Sequence, residues 1–462
     1  MFESNIYEER RNRLKKHLQS GIVLFPGNDE SPINYSANTY PYRQDSSFLY
    51  YWGLDRPGLN AIIDVDQNQE IIFADELTID DIVWMGPQPS LKEQVLQVGV
   101  AKILPSEKLD EVIKNAINKN RPLHYLPQYR FDNLLKLTKL LHKDSDEINK
   151  TVSKELIQAV VDQRSKKSDL EIKEIEYALK ISYEMHTTAM KMCKPGRYER
   201  TIVGSIEGLA YALGSLTSFP IIFSIHGETL HNHSHNNMMK EGDLVVHDSG
   251  AESEQHYASD ITRTIPVSGK FSSRQREIYN LVLQMQEKAI AAIKPGISYK
   301  KVHLLACKIL VGGLKQIGLM RGDTEQAVAA GAHALFFPHG LGHMMGLDVH
   351  DMENLGENHV GYDAQTKRSE QFGTNFLRLG KELEPGHVLT VEPGIYFIPT
   401  LIDQWKAQKR FSEFINYSQI ESYKGFGGIR IEDDVLVLNQ GCKILGDSIP
   451  KNAEKVEEMS AS

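Results

Sequence analysis

The stretch HGLGHMMGLDVHD, residues 339–351, combines three histidines with glycines at positions 340, 342 and 346. Such a composition disfavours a regular helix or strand, because glycine inside either element is destabilising. A lone histidine is usually an ordinary core or surface residue. Three histidines among glycines instead indicate a site that the backbone must approach closely, so the segment predicts chemistry whose partners lie elsewhere in the chain.

Four acidic residues elsewhere in the chain lie beside short, apolar, strand-like runs. They are Asp248 in VVHDSG, Asp260 in ASDITRT, Glu392 in TVEPG and Glu432 in RIEDD. A buried carboxylate is unfavourable unless it is paired or bound to a cation. For any one of these acids, an ion pair with Arg263 or Arg430 that closes a sheet is the simpler interpretation.

Taken together, the four carboxylates and the imidazole of His343 make an oxygen-rich ligand set for two divalent ions. Mn²⁺ is the expected ion, with Zn²⁺, Co²⁺ or Fe²⁺ as alternatives. In paired sites the ions lie about 3.5 to 4 Å apart and make a bridging hydroxide available near neutral pH for attack on a carbonyl. The sequence has no GxSxG, HExxH or P-loop signature for another chemistry. The favoured interpretation is a metal-dependent hydrolase.

An internal repeat indicates how these acids meet. The KPG turns at 194–196 and 294–296 each follow one helical pattern and precede another, and the first helix is predicted to begin at a capping box, SDLE, from Ser168. EGDLVVHDSG (241–250) and EPGHVLTVEPG (384–394) each run from a turn through an apolar strand to an acid. Two similar halves would bring their acids face to face across a pseudo-two-fold axis.

The first part of the chain has a different pattern. GIVLF (21–25), AIIDV (61–65) and EIIFA (70–74) are rich in β-branched residues and predict strands, with helical patterns after each group. Residues 1–155 therefore predict a small α/β domain. Its aromatic segment YPYRQDSSFLYYWGL (40–54) is predicted to be domain core or a subunit contact.

HGLGHMMGLDVHD, ASDITRT, LTVEPGIYF and GGIRIEDDV in this combination resemble the motifs of the pita-bread metallopeptidases, specifically the branch with aminopeptidase P and prolidase. The segment 40–54 resembles the aminopeptidase P N-terminal domain. The resemblance implies an α/β (α+β) chain, with a small N-terminal α/β domain (1–155), a pita-bread catalytic domain with an internal pseudo-two-fold repeat (156–450) and a C-terminal tail (451–462).

The resemblance also implies roles for single residues. The implied metal ligands are Asp248, Asp260, His343, Glu392 and Glu432, with Asp260 and Glu432 bridging the ions. Glu392 is the implied proton shuttle. The implied catalytic and substrate-side histidines are His231, His339 and His350, which would orient the peptide and stabilise the oxyanion.

Two arginines and a run of three histidines allow alternative roles. Arg430, two residues before Glu432, is expected to hold a ligand carboxylate in a bidentate pair. Arg378 resembles an arginine near the substrate's carboxylate end, although a surface position is an equal alternative. The run 231–235, HNHSH, could hold a separate metal clamp, but His231 as a substrate contact beside a solvated His233 and His235 is simpler.

Both enzymes of this branch cleave the bond before proline, and they differ in substrate length. Segment 40–54 favours an Xaa-Pro aminopeptidase, whereas an inserted segment at 399–425 resembles prolidases, which are restricted to dipeptides. We expect the aminopeptidase and keep the dipeptidase as the alternative. The insertion could close the site or pack on the surface, and the polar stretch 352–376 could be a lid or a subunit contact.

The remaining alternatives are other members of the same fold. Creatinase is a hydrolase without metal, and some pita-bread proteins only bind ligands, but all five implied ligands are present here. The large first domain disfavours methionine aminopeptidase.

The composition of the chain restricts the classes of partner and the cellular location that we expect. The net charge of -9 disfavours nucleic acid, no apolar run is long enough for a membrane span, and the charged start without a signal peptide predicts the cytoplasm. Cys193, Cys307 and Cys442 lie far apart and are expected in the core. Xaa-Pro peptides are the expected partners, and the first domain suggests a homodimer or homotetramer.

Overall fold

The computed structural model describes residues 1–461 and divides the chain into two compact units. Unit 1 comprises Met1–Arg164 together with Asn354–His359, and unit 2 comprises Ser165–Glu353 and Val360–Ser462. The division after Arg164 and the predicted domain boundary at residue 155 both fall within one helix, Lys154–Ser165. No helix among residues 1–461 combines the length and apolar character needed to cross a bilayer.

Unit 1 is built on a mixed sheet. Its strands are β1 (Ile22–Pro26), β2 (Pro32–Tyr35), β3 (Asn38–Thr39), β4 (Asn60–Asp64), β5 (Gln69–Phe73), β6 (Lys102–Leu104) and β7 (Leu123–His124). Five of them form one sheet in the order β6-β5-β4-β1-β7, and β2 and β3 pair separately. The three runs predicted as strands are confirmed as β1, β4 and β5, the centre of this sheet.

Along the chain, helices precede, separate and follow the strands of unit 1. They are α1 (Ser4–His17), α2 (Ser46–Trp52), α3 (Ile79–Met85), α4 (Leu91–Leu96), α5 (Lys108–Asn118), α6 (Phe131–Leu141), α7 (Ser145–Lys150) and α8 (Lys154–Ser165). Asp45 caps α2 by accepting a hydrogen bond from the Phe48 N–H, and every residue of α2 is buried. The aromatic segment 40–54 therefore contributes to the core of this unit, as one of the two interpretations predicted.

Unit 2 carries the longer helices and the remaining strands. Its helices are α9 (Asp169–Met192), α10 (Glu199–Ala212), α11 (Ser273–Ala292), α12 (Tyr299–Gln316), α13 (Thr324–Ala330), α15 (Pro399–Ala407), α16 (Tyr417–Ile420) and α17 (Ala453–Ala461). The short helix α14 (Glu357–Val360) lies between α13 and α15 in the chain, and its first three residues belong to unit 1. The strands are β8 (Ile222–Ser224), β9 (Leu244–Ser249), β10 (Ile261–Pro266), β11 (Val388–Val391), β12 (Gly394–Tyr396), β13 (Gly428–Arg430), β14 (Asp433–Val437) and β15 (Cys442–Ile444). Short 3₁₀ helices occur at Ala332–Leu335, Glu353–Leu355, Thr374–Phe376 and Glu421–Tyr423.

The predicted repeat is visible in unit 2. Helix α9 begins with the Ser168 and Glu171 capping box, and α9 and α11 both end just before a KPG turn. The N–H of Gly196 donates to the carbonyl of Met239, which lies three residues before Gly242, the glycine that precedes β9. In the same way, the N–H of Gly296 donates to the carbonyl of Leu383, three residues before Gly386, the glycine that precedes β11. The two halves continue into the sheets β10-β9-β8 and β11-β14-β15.

The end of the chain is a packed helix. Residues 451–462 were expected to form a tail, but Ala453 and Val456 of α17 are buried in unit 2. Helix α17 packs against α9, α11 and β10.

Candidate metal centre

The first half of unit 2 delivers two of the predicted acids. Asp248 lies in β9, and Asp260 directly precedes the antiparallel strand β10, whose Thr262 is paired with Asp248. The Asp260 N–H donates to Oδ2 of Asp434 at 3.0 Å, which fixes the start of β10 against the second half of the unit. Both acids are buried.

The second half delivers the other two acids. Glu392 follows β11, and Glu432 lies between β13 and β14. Glu432 bridges to Thr262 in an antiparallel contact, in which the Glu432 N–H donates to the Thr262 carbonyl at 3.0 Å. The Thr262 hydroxyl also donates to Oε2 of Glu432 at 2.6 Å. The two halves thus meet at the acids, as the repeat predicted.

His343 enters from the glycine-rich segment 339–351, which runs beside β11. The His343 N–H donates to the Thr390 hydroxyl, and the Thr390 N–H donates to the His343 carbonyl at 3.0 Å. A Cβ on the neighbouring Gly342 would lie 2.0 Å from the carbonyl oxygen of Thr390, so only glycine allows the two backbones to lie this close. Because Nδ1 of His343 lies 3.1 Å from the Met344 carbonyl, Nε2 faces the acids, 3.4 Å from Asp260 and 3.7 Å from Glu392.

The cluster is short of positive charge. Burial and the charge of Asp248 raise the pKa of Asp260, while burial and the charges of Asp260 and Glu392 raise the pKa of Glu432. Removal from bulk water raises the pKa of Glu392 to about 8. Oδ1 of Asp248 and Oδ1 of Asp260 are buried without a hydrogen-bond partner among the described residues. These unsatisfied, mutually repelling oxygens fit divalent cations, and ligand atoms of Asp260, His343 and Glu432 lie within 4.8 Å of one another.

Arg430 offsets part of the negative charge. Its Nη2 donates to Oδ2 of Asp248 at 2.6 Å, while Nη1 donates to the Tyr396 hydroxyl at 2.9 Å and Nε to the Thr262 hydroxyl. The expected bidentate pair with one ligand carboxylate is therefore wrong in detail, because the fork is shared among three side chains. Arg263 forms its ion pair with Asp433 at 2.7 Å rather than with a ligand carboxylate, and it reaches Glu432 through the main-chain carbonyl.

The four acids line a cavity of about 700 Å³. The predicted substrate-side residues all line it, namely His231, His339, His350, Arg378 and Arg430. Apolar side chains make up much of the remaining wall, namely Phe219, Pro220, Ile222, Leu230, Pro338, Val349, Phe372, Phe376, Ile398 and Leu401. A concave apolar pocket with a few converging polar groups is the usual form of a small-ligand site.

His339 lies between Glu392 and Tyr396. Its Nδ1 is 3.7 Å from Oε2 of Glu392, and its Nε2 is 2.9 Å from the Tyr396 hydroxyl. Burial and the charge of Arg430 lower the pKa of His339 to about 3. The imidazole is therefore neutral at pH 7 and acts through hydrogen bonds rather than through charge.

His350 and Arg378 are joined through one acid. Glu353 accepts from Nδ1 of His350 at 2.5 Å and pairs with Nη1 of Arg378. Burial opposes ionisation of Glu353, but the hydrogen bond from His350 and the charge of Arg378 lower its pKa to about 2. The ring centroid of His350 also lies 4.0 Å from that of His343, so the group formed by His350, Glu353 and Arg378 adjoins the candidate metal centre.

The run 231–235 is not a strand, so alternation does not align its histidines. His231 and His233 line the cavity, whereas Nδ1 of His235 lies 3.3 Å from the Phe223 carbonyl. The clamp of three imidazoles is therefore not formed, and His233 is exposed as expected, although it also lines the cavity.

Sequence reasoning missed the residues that support the ligands. Tyr396, Thr262, Asp434 and Glu353 each bond to a predicted site residue. Tyr396 lies four residues after Glu392 in the predicted strand motif, which was a usable signal. The inserted segment 399–425 also forms part of the wall, because Thr400, Leu401 and Gln404 of α15 line the cavity, so packing on the surface alone is wrong.

Comparisons with known proteins agree with this geometry. The model of metallopeptidase family M24 matches residues 173–439, and that of the aminopeptidase P N-terminal domain matches residues 7–124. The human Xaa-Pro dipeptidase is 32% identical over 97% of this chain and 91% of its own length. A probable Xaa-Pro aminopeptidase of Uncinocarpus reesii is 32% identical over 95% of this chain and 90% of its own length.

Solved structures give the same answer. Proline aminopeptidase P II from Yersinia pestis superposes with a TM-score of 0.82 at 29% identity and covers 100% of both chains. Zinc-substituted Escherichia coli aminopeptidase P in complex with product has a TM-score of 0.82 at 28% identity and covers 100% of this chain and 98% of its own. The chain therefore belongs to metallopeptidase family M24, in the group that contains aminopeptidase P and prolidase, and it is a metal-dependent hydrolase.

Proposed function

We propose that the chain releases the N-terminal residue of peptides with proline at the second position, that is, an Xaa-Pro aminopeptidase. The observation that carries the proposal is the convergence of four carboxylates and His343, from both halves of unit 2, on the wall of one cavity. A tertiary amide before proline lacks the N–H that ordinary peptidases use, so a site built around a charged centre suits it. The aminopeptidase P N-terminal domain also supports it.

In this proposal Asp248, Asp260, His343, Glu392 and Glu432 hold two divalent ions, and Mn²⁺ is the ion expected. When bound, such ions lower the pKa of water and polarise a carbonyl oxygen. The four carboxylates bring four negative charges against one arginine, so two divalent ions would leave the centre close to neutral. Element analysis of the purified protein, with reconstitution by Mn²⁺, Zn²⁺, Co²⁺ and Fe²⁺, would identify the ion.

The chain's own side chains would handle the peptide and the proton. Glu392 lies within 3.7 Å of both His339 and His343, so it is placed to hold a proton and pass it towards the departing amine. His231, His339 and His350 have lowered pKa values because of burial, which keeps them neutral at pH 7. The single N–H of neutral His339 faces the Gly340 carbonyl, and that of neutral His350 faces Glu353. His231 is therefore the imidazole of the three that would donate to a developing oxyanion.

The dipeptidase alternative rests on Arg378. This arginine lines the cavity and is held by Glu353, so its position is fixed before a substrate binds. A fixed guanidinium suits a carboxylate that follows proline directly. Helix α15 lies along the same wall and could limit the length of peptide that enters.

Matched substrates would separate the two activities. Protein stripped with chelator and reloaded with Mn²⁺ would be assayed on Ala-Pro and on Ala-Pro-Ala. We expect cleavage of the tripeptide after alanine. Cleavage of the dipeptide alone would establish the dipeptidase, and cleavage of neither with any of the four ions would contradict both.

Self-association is also proposed, through α3 of unit 1. None of its residues is buried, and Ile79, Val83 and Trp84 are 79%, 72% and 86% exposed. A contiguous apolar helix face of this kind is typical of an interaction surface. Light scattering should find a homodimer or homotetramer that Trp84→Glu dissociates and that Tyr211→Glu, at a lone exposed aromatic on α10, leaves intact. A monomeric wild-type protein would contradict this proposal.

The cytoplasmic location stays a prediction. Its test is the distribution of the native protein between cytoplasmic, membrane and extracellular fractions.

A further inference from the structure

A second group of possible metal ligands lies in unit 2, and we name it the His-Cys-His cluster. It consists of His303 and Cys307, one turn apart on α12, and His333 in the 3₁₀ helix Ala332–Leu335. One ligand atom from each of the three lies within 4.8 Å of the other two. All three side chains are fully buried. None of them belongs to the carboxylate centre.

The cluster contains ring nitrogens that the protein leaves unsatisfied. Nδ1 of His303 and both ring nitrogens of His333 are buried without a hydrogen-bond partner among the described residues. The backbone of Val328 approaches the His333 ring, but not in hydrogen-bonding geometry. Buried polar atoms are nearly always paired in native structures, so such orphans point to a bound ion or water. An ion beside Cys307 would take Nε2 of His303 and one nitrogen of His333, and it would therefore satisfy one of the three orphans.

The three groups are in a state that a metal can use. Burial lowers the pKa of His303 to about 3 and that of His333 to about 4, so both imidazoles are neutral at pH 7. Neutral imidazole is the form that binds metals. Burial raises the pKa of the Cys307 thiol well above its ordinary value, so the thiol keeps its proton until a metal displaces it.

The spacing of the cluster suits coordination. Sγ of Cys307 lies 3.5 Å from Nε2 of His303. Bonds of about 2.3 Å to sulfur and about 2.0 to 2.1 Å to nitrogen, as in zinc sites, place two ligand atoms about 3.5 Å apart at the tetrahedral angle and about 3.8 Å apart at the trigonal angle of a site with three ligands. The existing pair could therefore accept an ion with little rearrangement of α12.

Charge decides which ion fits best. The surroundings are apolar, with the Phe337 ring centroid 5.5 Å from that of His303, and the charged group acting on His303 is Lys300 rather than a carboxylate. One thiolate would neutralise a monovalent cation but would leave a net positive charge with a divalent one. Burying a net charge is costly. Thiolate ligands also select soft ions such as Cu⁺.

We propose that His303, Cys307 and His333 form a second metal site, separate from the carboxylate centre, that takes a soft monovalent cation, Cu⁺. On binding, the S–H bond of Cys307 breaks, a sulfur–copper bond forms and the proton leaves to solvent. Two imidazole nitrogens complete the coordination, and no electron is transferred. The site would tie α12 to the 3₁₀ helix that precedes the glycine-rich segment.

The test uses full-length protein made in cells under copper-supplemented, reducing conditions and then loaded with Mn²⁺ at the carboxylate centre. Copper per chain is measured by element analysis, and its neighbours by X-ray absorption. We expect about one copper per chain with one sulfur neighbour, because the carboxylate ligand set contains no sulfur. Cys307→Ser and His333→Phe should each lower the bound copper at least tenfold.

Cys193→Ser is the matched control, because Cys193 is also fully buried but has its Sγ 3.7 Å from the Met239 sulfur rather than beside an imidazole. It should keep the copper. Wild-type protein that holds no copper, or copper without a sulfur neighbour, would overturn the proposal and leave a hydrogen-bonded pair with an internal water. Sulfur-bound zinc after parallel zinc supplementation, without copper, would overturn the assignment to a monovalent ion.

Discussion

Arg430 illustrates how single side chains set the properties of the metal centre. Its three nitrogens donate to Asp248, Tyr396 and Thr262. One cation therefore orients the predicted ligand Asp248 and also the two hydroxyl groups that bond to His339 and Glu432. The four acids and His343 could be predicted from sequence to lie together, because acids beside apolar strands are unusual and because the motifs that contain them resemble those of one family. Their supports could not, because Tyr396, Thr262 and Glu353 are ordinary residues whose roles depend on long-range contacts.

The first prediction concerns the acid at the centre of the cluster. Asp260→Asn removes a charge that the site uses and should lower peptidase activity by more than about 100-fold, since even outer residues around a metal change activity by about 10 to 100-fold. Activity is measured on Ala-Pro-Ala with Mn²⁺. Glu254→Gln, an exposed acid between β9 and β10, is the control and should be unaffected. An active, metal-replete, folded Asp260→Asn enzyme would refute the site assignment.

A second prediction concerns a glycine of the quoted segment. Gly342→Ala places a methyl group 2.0 Å from the Thr390 carbonyl oxygen, so the backbone beside His343 must move. We expect a loss of about 1 to 3 kcal/mol in the free energy of unfolding, as for other overpacked sites. Denaturant unfolding measures it.

The control for that experiment is Gly204→Ala in the middle of α10, where an added Cβ meets nothing within 4 Å. It should raise stability by about 0.5 to 1 kcal/mol, because alanine is favoured over glycine within a helix. Equal effects at both positions would show that the close approach at Gly342 has no energetic weight.

At the scale of secondary structure elements, strand β10 is tied to its neighbours by Arg263. This fully buried side chain pairs with Asp433 at 2.7 Å and donates to the carbonyls of Thr262, Glu432, Ile449 and Pro450. It therefore joins β10, the start of β14 and the segment before α17. Hydrophobic patterns predicted the strands, but they carry no information about which buried cation would connect them.

The third prediction is that Arg263→Met lowers the free energy of unfolding by about 3 to 5 kcal/mol, because it removes one of the two cations paired with Asp433, the other being Lys451, and leaves several carbonyls buried without their donor. Arg276→Met is the comparison. Arg276 pairs with Glu454 and Glu457 at a partly exposed site, where ion pairs contribute about 1 kcal/mol or less. Similar losses for the two variants, measured by denaturant unfolding, would contradict the role of Arg263.

The wall of the cavity was the part of the fold least visible in the sequence. The segment 352–376 contains only short helical turns, and Phe372 and Phe376 reach the cavity from a turn and from the end of a single 3₁₀ turn. Irregular segments have no periodicity, so burial and direction cannot be read from spacing. The capping box of α9 and the KPG turns were predictable because capping and turn chemistry are local.

For the whole molecule, two units share one chain and one of them carries the charged site. The strand runs of unit 1 and the repeat of unit 2 were both predicted, because each rests on hydrophobic patterns or echoed motifs. The division after Arg164 lies inside α8, where composition does not change, so sequence could not locate it.

The fourth prediction is made at this scale. Chelator should lower the midpoint of thermal unfolding, and Mn²⁺ should restore it, because ions that bind only the folded state stabilise it by about 2.7 kcal/mol at a concentration one hundred times the dissociation constant. Calorimetry with and without Mn²⁺ measures the shift. The Asp260→Asn variant should show a smaller one. A midpoint of unfolding that does not change with Mn²⁺ in the wild-type protein would contradict a site with unsatisfied negative charge.

The contact between Thr262 and Glu432 has a consequence for how the protein is made. Its partners are 170 residues apart, and Arg263 reaches on to the carbonyl of Pro450. A chain that leaves the ribosome from its N-terminus presents Asp248 and Asp260 long before Glu392 and Glu432 exist. The nascent polypeptide therefore has no complete site to offer until Glu432 has been translated. Binding of the ions at the predicted site would follow the folding of the first half of unit 2 rather than act as a nucleus for it.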